Sequence, residues 1–181
     1  RVAGRTLLTH RVAVLETAGP ALAAAVRLAA GTDLDLRFAP SLDPEGFRAV
    51  LADARYAVVR GRALGADLLD AAPDLEMIHM WGTGLDNVPV AEALARNIVV
   101  ARSPGRNAPS VADMTLGLML SVLRRIPAAD AAMRAGRWKM DALWEGARDL
   151  GALRIGLVGF GAIGQLVARR LDGFGSDVVY H

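Results

Sequence analysis

Cysteine is absent from the 181-residue sequence, Lys139 is its only lysine, and aromatic side chains are scarce. Without cysteine there is neither a disulfide framework nor a thiolate metal site, a composition that fits the cytoplasm. The three histidines, His10, His79 and His181, show no metal-ligand spacing such as H-E-x-x-H. Long apolar runs are missing as well. The most apolar segment, Met114 to Leu123, ends in Arg124-Arg125 and is much shorter than the roughly 18 residues expected of a membrane helix. The opening Arg1-Val2-Ala3-Gly4-Arg5 runs into polar Thr9-His10-Arg11 and carries no secretory signal pattern. Charge of one sign is not concentrated either. The pI near 9.6 comes from scattered arginines, the formal charge is only +2, and no run of five or six like charges marks a nucleic-acid stripe.

What is present is apolar and periodic. Apolar residues make up 53% of the chain, which excludes a disordered segment and leaves one or two domains as the expectation. Near the end, Ile155, Leu157 and Val158 read as a buried parallel strand, followed by Gly159-Phe160-Gly161-Ala162-Ile163-Gly164 and a helical pattern through Leu171. Ser176 to Tyr180 reads as the next strand. A G-x-G-x-x-G in this strand-helix-strand frame is a dinucleotide-binding pattern. Gly159 permits the turn, Gly161 lacks the Cβ that would hold a pyrophosphate off the backbone, and Gly164 allows close helix packing. The helix start offers unpaired N–H groups and a positive dipole end to phosphates. The alternative is a glycine turn without a ligand. An acidic residue for the adenosine ribose is expected about 20 residues after the motif. That position falls just after His181, because Asp172 and Asp177 come too early. The chain is therefore expected to be the front part of a longer protein.

Upstream, strands are expected at Val12–Leu15, Leu34–Phe38, Tyr56–Val59, Leu75–Met80 and Ile98–Ala101. Helical patterns lie between them, at Pro20–Ala30, Glu45–Ala54, Leu64–Ala71 and around Pro89–Ala95. This alternation predicts parallel β-α units in a doubly wound α/β domain over residues 8–102. Ligands of such sheets gather at the carboxyl ends of the strands. Strand three ends at Val59-Arg60-Gly61-Arg62, and strand four at Met80-Trp81-Gly82-Thr83-Gly84. The Gly82-Thr83-Gly84 loop can offer backbone N–H groups to an anion and Arg60 a charged fork to a carboxylate. An ordinary glycine-rich turn beside a solvated arginine fits equally. His79 reads as a packed core histidine rather than a catalytic one. Asn107 to Asp113 is a helix start, with Ser110 as the cap and Asp113 completing a capping-box-like exchange. That helix is expected to break at Ile126-Pro127. Residues 128–147 then carry Met133, Trp138, Met140, Leu143 and Trp144, a surplus of large apolar groups that reads as a subunit interface.

Taken in order, Gly82-Thr83-Gly84-Leu85-Asp86-Asn87-Val88, Asn107 to Asp113, Arg134-Ala135-Gly136-Arg137-Trp138 and Gly159 to Gly164 resemble the D-isomer-specific 2-hydroxyacid dehydrogenase family, nearest its D-3-phosphoglycerate dehydrogenase branch. The resemblance implies a flavodoxin-like substrate domain over 8–102 and the start of a Rossmann NAD-binding domain over 103–181. It also implies homodimers built through the nucleotide domain. The activity implied is NAD(H)-dependent interconversion of a small D-2-hydroxy acid and its 2-oxo acid, with NADP as the alternative cofactor. Arg60, Gly82, Thr83 and Gly84 are implied to hold substrate. Thr83, Gly159, Phe160, Gly161, Ala162, Ile163 and Gly164 are implied to lie against the cofactor. The family's catalytic arginine, acid and histidine are expected beyond residue 181, so no catalytic residue is assigned within it. Where the branch tends to carry an arginine before the Gly-Thr-Gly loop, this chain has Met80-Trp81, which leaves the particular hydroxy acid open. A non-catalytic NAD-binding scaffold on the same fold is the rival reading.

Overall fold

A computed structural model describes residues 10–138 and 145–181. The chain divides into two units, Arg1–Pro104 and Gly105–His181. In the first, β1 (His10–Leu15), β2 (Leu34–Phe38), β3 (Tyr56–Val59), β4 (Met77–Met80) and β5 (Val99–Arg102) form one sheet in the order β2-β1-β3-β4-β5. All four pairings are parallel, with Val12 opposite Leu36 on one side of β1 and opposite Tyr56 on the other. This 2-1-3-4-5 order is the flavodoxin-like arrangement.

Alternation along the strands sorts the core into two layers. Ala13, Leu15, Ala57, Val59 and Ile78 meet Phe47, Leu51 and Ala93 on one face, whereas Val12, Val14 and Leu36 meet Val26 and Ala30 on the other. Burying a side chain such as Leu15 or Ile78, both at 0% exposure, contributes about 1.5–3 kcal/mol. The helices begin and end where local chemistry directs. In α1 (Pro20–Ala30), Pro20 occupies the first turn and Gly31 stops the helix at φ +79°. In α2 (Pro44–Leu51), the Gly46 N–H donates to Asp43 Oδ1 at 2.8 Å. That bond, followed by the Ser41 hydroxyl, holds the Asp43 carboxyl below its ordinary value. The helical turn expected from Leu64 is a 3-10 segment over Ala66–Ala71, and α3 spans Val90–Ala95.

The second unit contains α4 (Ala108–Leu123), α5 (Ile126–Arg134), β6 (Arg154–Leu157), α6 (Ala162–Asp172) and β7 (Asp177–Tyr180), with β6 parallel to β7. Ala112, Leu116, Leu150, Val167 and Leu171 form its core, with Ile155, Leu157 and Val178 packed against it.

Three local expectations change here. Asn107, not Ser110, is the N-cap of α4, and it makes no side-chain cap. Pro109 already sits in the first turn, which places Ser110 inside the helix, and Asp113 instead receives Arg170 Nε at 2.6 Å. Pro127 does more than end a helix. Arg125 takes a left-handed φ of 53°, and Pro127 occupies the first turn of α5. Val158, expected in a buried strand, follows β6 and is 96% exposed. Alternation turns Ile155 and Leu157 toward the helices, and the opposite face of this two-stranded sheet is uncovered among the described residues. Of the apolar group proposed as an interface, Met133 and Trp138 are exposed. Met140, Leu143 and Trp144 lie outside the described residues.

Candidate active-site elements

Sequence-distant residues converge at the carboxyl edge of the first unit's sheet. Arg60 follows β3, and its Nη1 lies 3.8 Å from Glu16 Oε2, just after β1. Its guanidinium also stacks over the Trp81 ring at 5.5 Å. Gly61 turns the chain at φ +70°, and its carbonyl accepts Asn87 Nδ2 at 3.2 Å. Arg60, Gly82, Thr83 and Gly84 thus lie at one edge of the sheet, past the ends of β3 and β4.

The Gly82-Thr83-Gly84 loop is held from the end of β5. The Ser103 N–H donates to the Gly82 carbonyl at 2.9 Å and Arg102 Nη1 to the Thr83 carbonyl at 3.1 Å. Among the described residues, the Thr83 and Gly84 N–H groups reach no acceptor. His79 is half-buried, and its Nε2 lies 3.0 Å from Ser103 Oγ. It therefore belongs to the frame under the loop. Glu16, Trp81, Arg102 and Ser103 were not singled out as site residues from the sequence. Their one available signal was position, each lying at or just past the end of a strand.

A cavity of about 750 Å³ lies at the opposite, amino-terminal end of this sheet, lined by His10, Arg11, Asp53, Arg55, Glu76 and Arg96 among others. Its arginines are already engaged: Arg11 with Asp53, Arg55 with Glu76 and Arg96 with Asp70. The Glu76 carboxylate raises the pKa of Arg55 further. Size alone does not make this the functional end, because ligand loops on such sheets belong to the carboxyl edge. Among the described residues no group of three or more potential ligands could hold a metal.

In the second unit, the glycine motif adopts the geometry that its spacing implies. Gly159 turns at φ +90° and its N–H donates to the His181 carbonyl at 2.8 Å, tying the loop to the end of β7. A Cβ at Gly164 would lie well inside contact distance of the Gly159 carbonyl oxygen, so the third glycine lets α6 start directly against the turn. Among the described residues, a Cβ at Gly161 would meet no atom within 4 Å, so the space in front of that backbone is open among them. Phe160 turns away from it and stacks on Tyr180 at 4.0 Å and 14°, Ala162 starts the helix, and Ile163 is 40% exposed.

The model of the D-isomer specific 2-hydroxyacid dehydrogenase catalytic domain matches residues 12–176. This chain belongs to that family. It is 38% identical to the D-3-phosphoglycerate dehydrogenase of Mycobacterium tuberculosis over 159 residues, covering 87% of this chain and 30% of the relative. It is 40% identical to the glyoxylate reductase of Thermococcus litoralis over 120 residues, 64% of this chain and 36% of that enzyme. Among solved structures, the NADPH-dependent glyoxylate/hydroxypyruvate reductase of Sinorhizobium meliloti, determined with NADP and malonate, superposes with a TM-score of 0.72 at 34% identity. That match covers 96% of this chain and 53% of the solved one. The chain thus spans about a third of the length of these two curated relatives and about half of the solved chain.

Proposed function

We propose that the full-length protein carrying this chain is an NAD(H)-dependent oxidoreductase that interconverts small D-2-hydroxy acids and 2-oxo acids. The observation that carries this reading is the backbone from Gly159 to Gly164, open in front of Gly161 and drawn tight at Gly164. That shape fits a dinucleotide diphosphate against the helix start. When bound, the nicotinamide supplies a hydride to C2 of the oxo acid, and a proton completes the hydroxyl. The chain's own contribution is binding and orientation. In this reading the first unit is the substrate domain and the second begins the nucleotide domain. The Thr83 and Gly84 N–H groups take the substrate carboxylate, and Arg60 adds positive charge at the same edge. Thr83 has a second role beside the cofactor. The Phe160, Gly161, Ala162 and Ile163 backbone lies along the diphosphate. No residue of this chain is assigned the proton transfer.

NAD rather than NADP is our choice on the resemblance to the phosphoglycerate branch, although the solved Sinorhizobium relative holds NADP. A homodimer through the second unit is supported by the exposed stripe Met114, Leu118 and Val122, spaced by four residues on α4. Sedimentation of the full-length protein as a monomer would remove that part. A cytoplasmic location is part of the same proposal, and recovery of the protein in a membrane or secreted fraction would refute it.

The decisive experiment follows consumption of NADH and NADPH by the full-length protein with glyoxylate, hydroxypyruvate and 2-ketogluconate. Turnover of at least one acid with preference for NADH is the expected result. No turnover and no dinucleotide binding would refute the reading.

A further inference from the structure

We propose that Arg102 is a positioning residue that aims the Thr83 and Gly84 N–H groups as a paired carboxylate fork. The inference rests on the oxo-acid reading above. A trans peptide unit is planar, so its C=O and N–H point in opposite directions. The carbonyl of Gly82 is held by the Ser103 N–H at 2.9 Å and that of Thr83 by Arg102 Nη1 at 3.1 Å. Both carbonyls are therefore drawn toward the end of β5. The N–H partners in those two peptide units, Thr83 and Gly84, must then face away from it together. Two successive N–H groups turned to one side form an anion-binding concavity, and neither meets an acceptor among the described residues.

The two anchors differ in kind. Ser103 contributes backbone, which any residue supplies. The hold on Thr83 depends on one side chain, and Arg102 is suited to it because its long stem and multiple donors reach across from the neighbouring strand end. Without that bond the 83–84 peptide is free to rotate, and the Gly84 N–H loses its aim while the Thr83 N–H keeps it. The expected loss is one of two donors to the carboxylate, not the collapse of the edge.

The test uses the full-length protein with Arg102→Met and Arg102→Lys, measuring kcat and KM for glyoxylate, dinucleotide affinity and thermal unfolding. Arg102→Met is expected to raise KM about tenfold, the loss of roughly one charge-assisted hydrogen bond, with a smaller change in kcat. Arg102→Lys, which keeps a donor on a long stem, is expected to recover most of it. The ratio of the Met-variant KM to the wild-type KM should be the same at low and high salt, because an aimed hydrogen bond is not screened as a remote charge is. A wild-type KM in Arg102→Met overturns the proposal and leaves the oxo-acid reading standing. A ratio that collapses with salt also overturns it, because Arg102 then acts as a charge. Failure of the wild-type protein to bind any oxo acid removes the oxo-acid reading and this inference with it.

Discussion

Replacing Gly161 with alanine separates the fold of the glycine motif from its proposed use. The φ of −78° at Gly161 suits an alanine, and among the described residues the added Cβ meets nothing within 4 Å. The second unit should therefore keep its stability or gain up to about 1 kcal/mol from the stiffer unfolded chain. Binding should behave differently. The methyl group occupies the space in which a diphosphate would approach the helix start, and moving the diphosphate outward weakens one or more charge-assisted hydrogen bonds, worth about 1.5–3 kcal/mol each. At about 1.4 kcal/mol per factor of ten, NADH should bind at least tenfold more weakly. Gly164→Ala reverses the emphasis. Its Cβ collides with the Gly159 carbonyl, and overpacking of this kind costs about 1–3 kcal/mol. For a full-length domain of about 150–250 residues that lowers the melting temperature by at least about 2 °C. Calorimetric titration with NADH and thermal unfolding of the same full-length proteins provide both readings. Unweakened binding by Gly161→Ala would refute the assignment of the open space to the diphosphate.

Other perturbations test the frame around the sites. Ile78→Ala empties a fully buried position in the central layer of the first unit and should cost about 2–5 kcal/mol in denaturant unfolding; a loss below about 1 kcal/mol would mean that the layer is not packed as described. The Asp43 carboxyl is held below its ordinary value chiefly by the Gly46 N–H. Its contribution is therefore complete above the unfolded carboxyl pKa of about 3.9 and is lost as pH falls through the lower folded value. Asp43→Asn should flatten the acid limb of the melting curve; an unchanged limb would show that the bond is not linked to folding.

Much of this architecture could be read from the sequence because its signals are local. Strand runs bounded by turn residues located β1 to β5 to within two residues, and the alternation with helices implied their parallel order. The turn and packing roles of the glycine motif could be read for the same reason: Gly159 fixes a turn and Gly164 a packing contact. What escaped was either decided by a neighbour or assembled from distant positions. The start of α4 followed Pro109 rather than the better capping side chain at Ser110. The burial assumed for Val158 depended on whether a second layer covers that side of β6. Glu16, Arg60 and Trp81 meet, and Arg102 reaches the Thr83 carbonyl, only because β1, β3, β4 and β5 end side by side. No spacing along the chain announces that meeting, although the strand-end rule points to the places where it occurs.

The pairing of the five-stranded sheet has a bearing on how the protein is made. β2, β4 and β5 each dock on the strand immediately before them, and β3 returns to β1 across α1, β2 and α2. Among the described residues, no strand pairing of this sheet waits for residues beyond Arg102. A chain leaving the ribosome can therefore finish its first layer while the glycine loop is still being synthesised, as domains that fold in sequence do. The edge that carries Arg60 and the Gly82-Thr83-Gly84 loop is then in place before the second unit emerges.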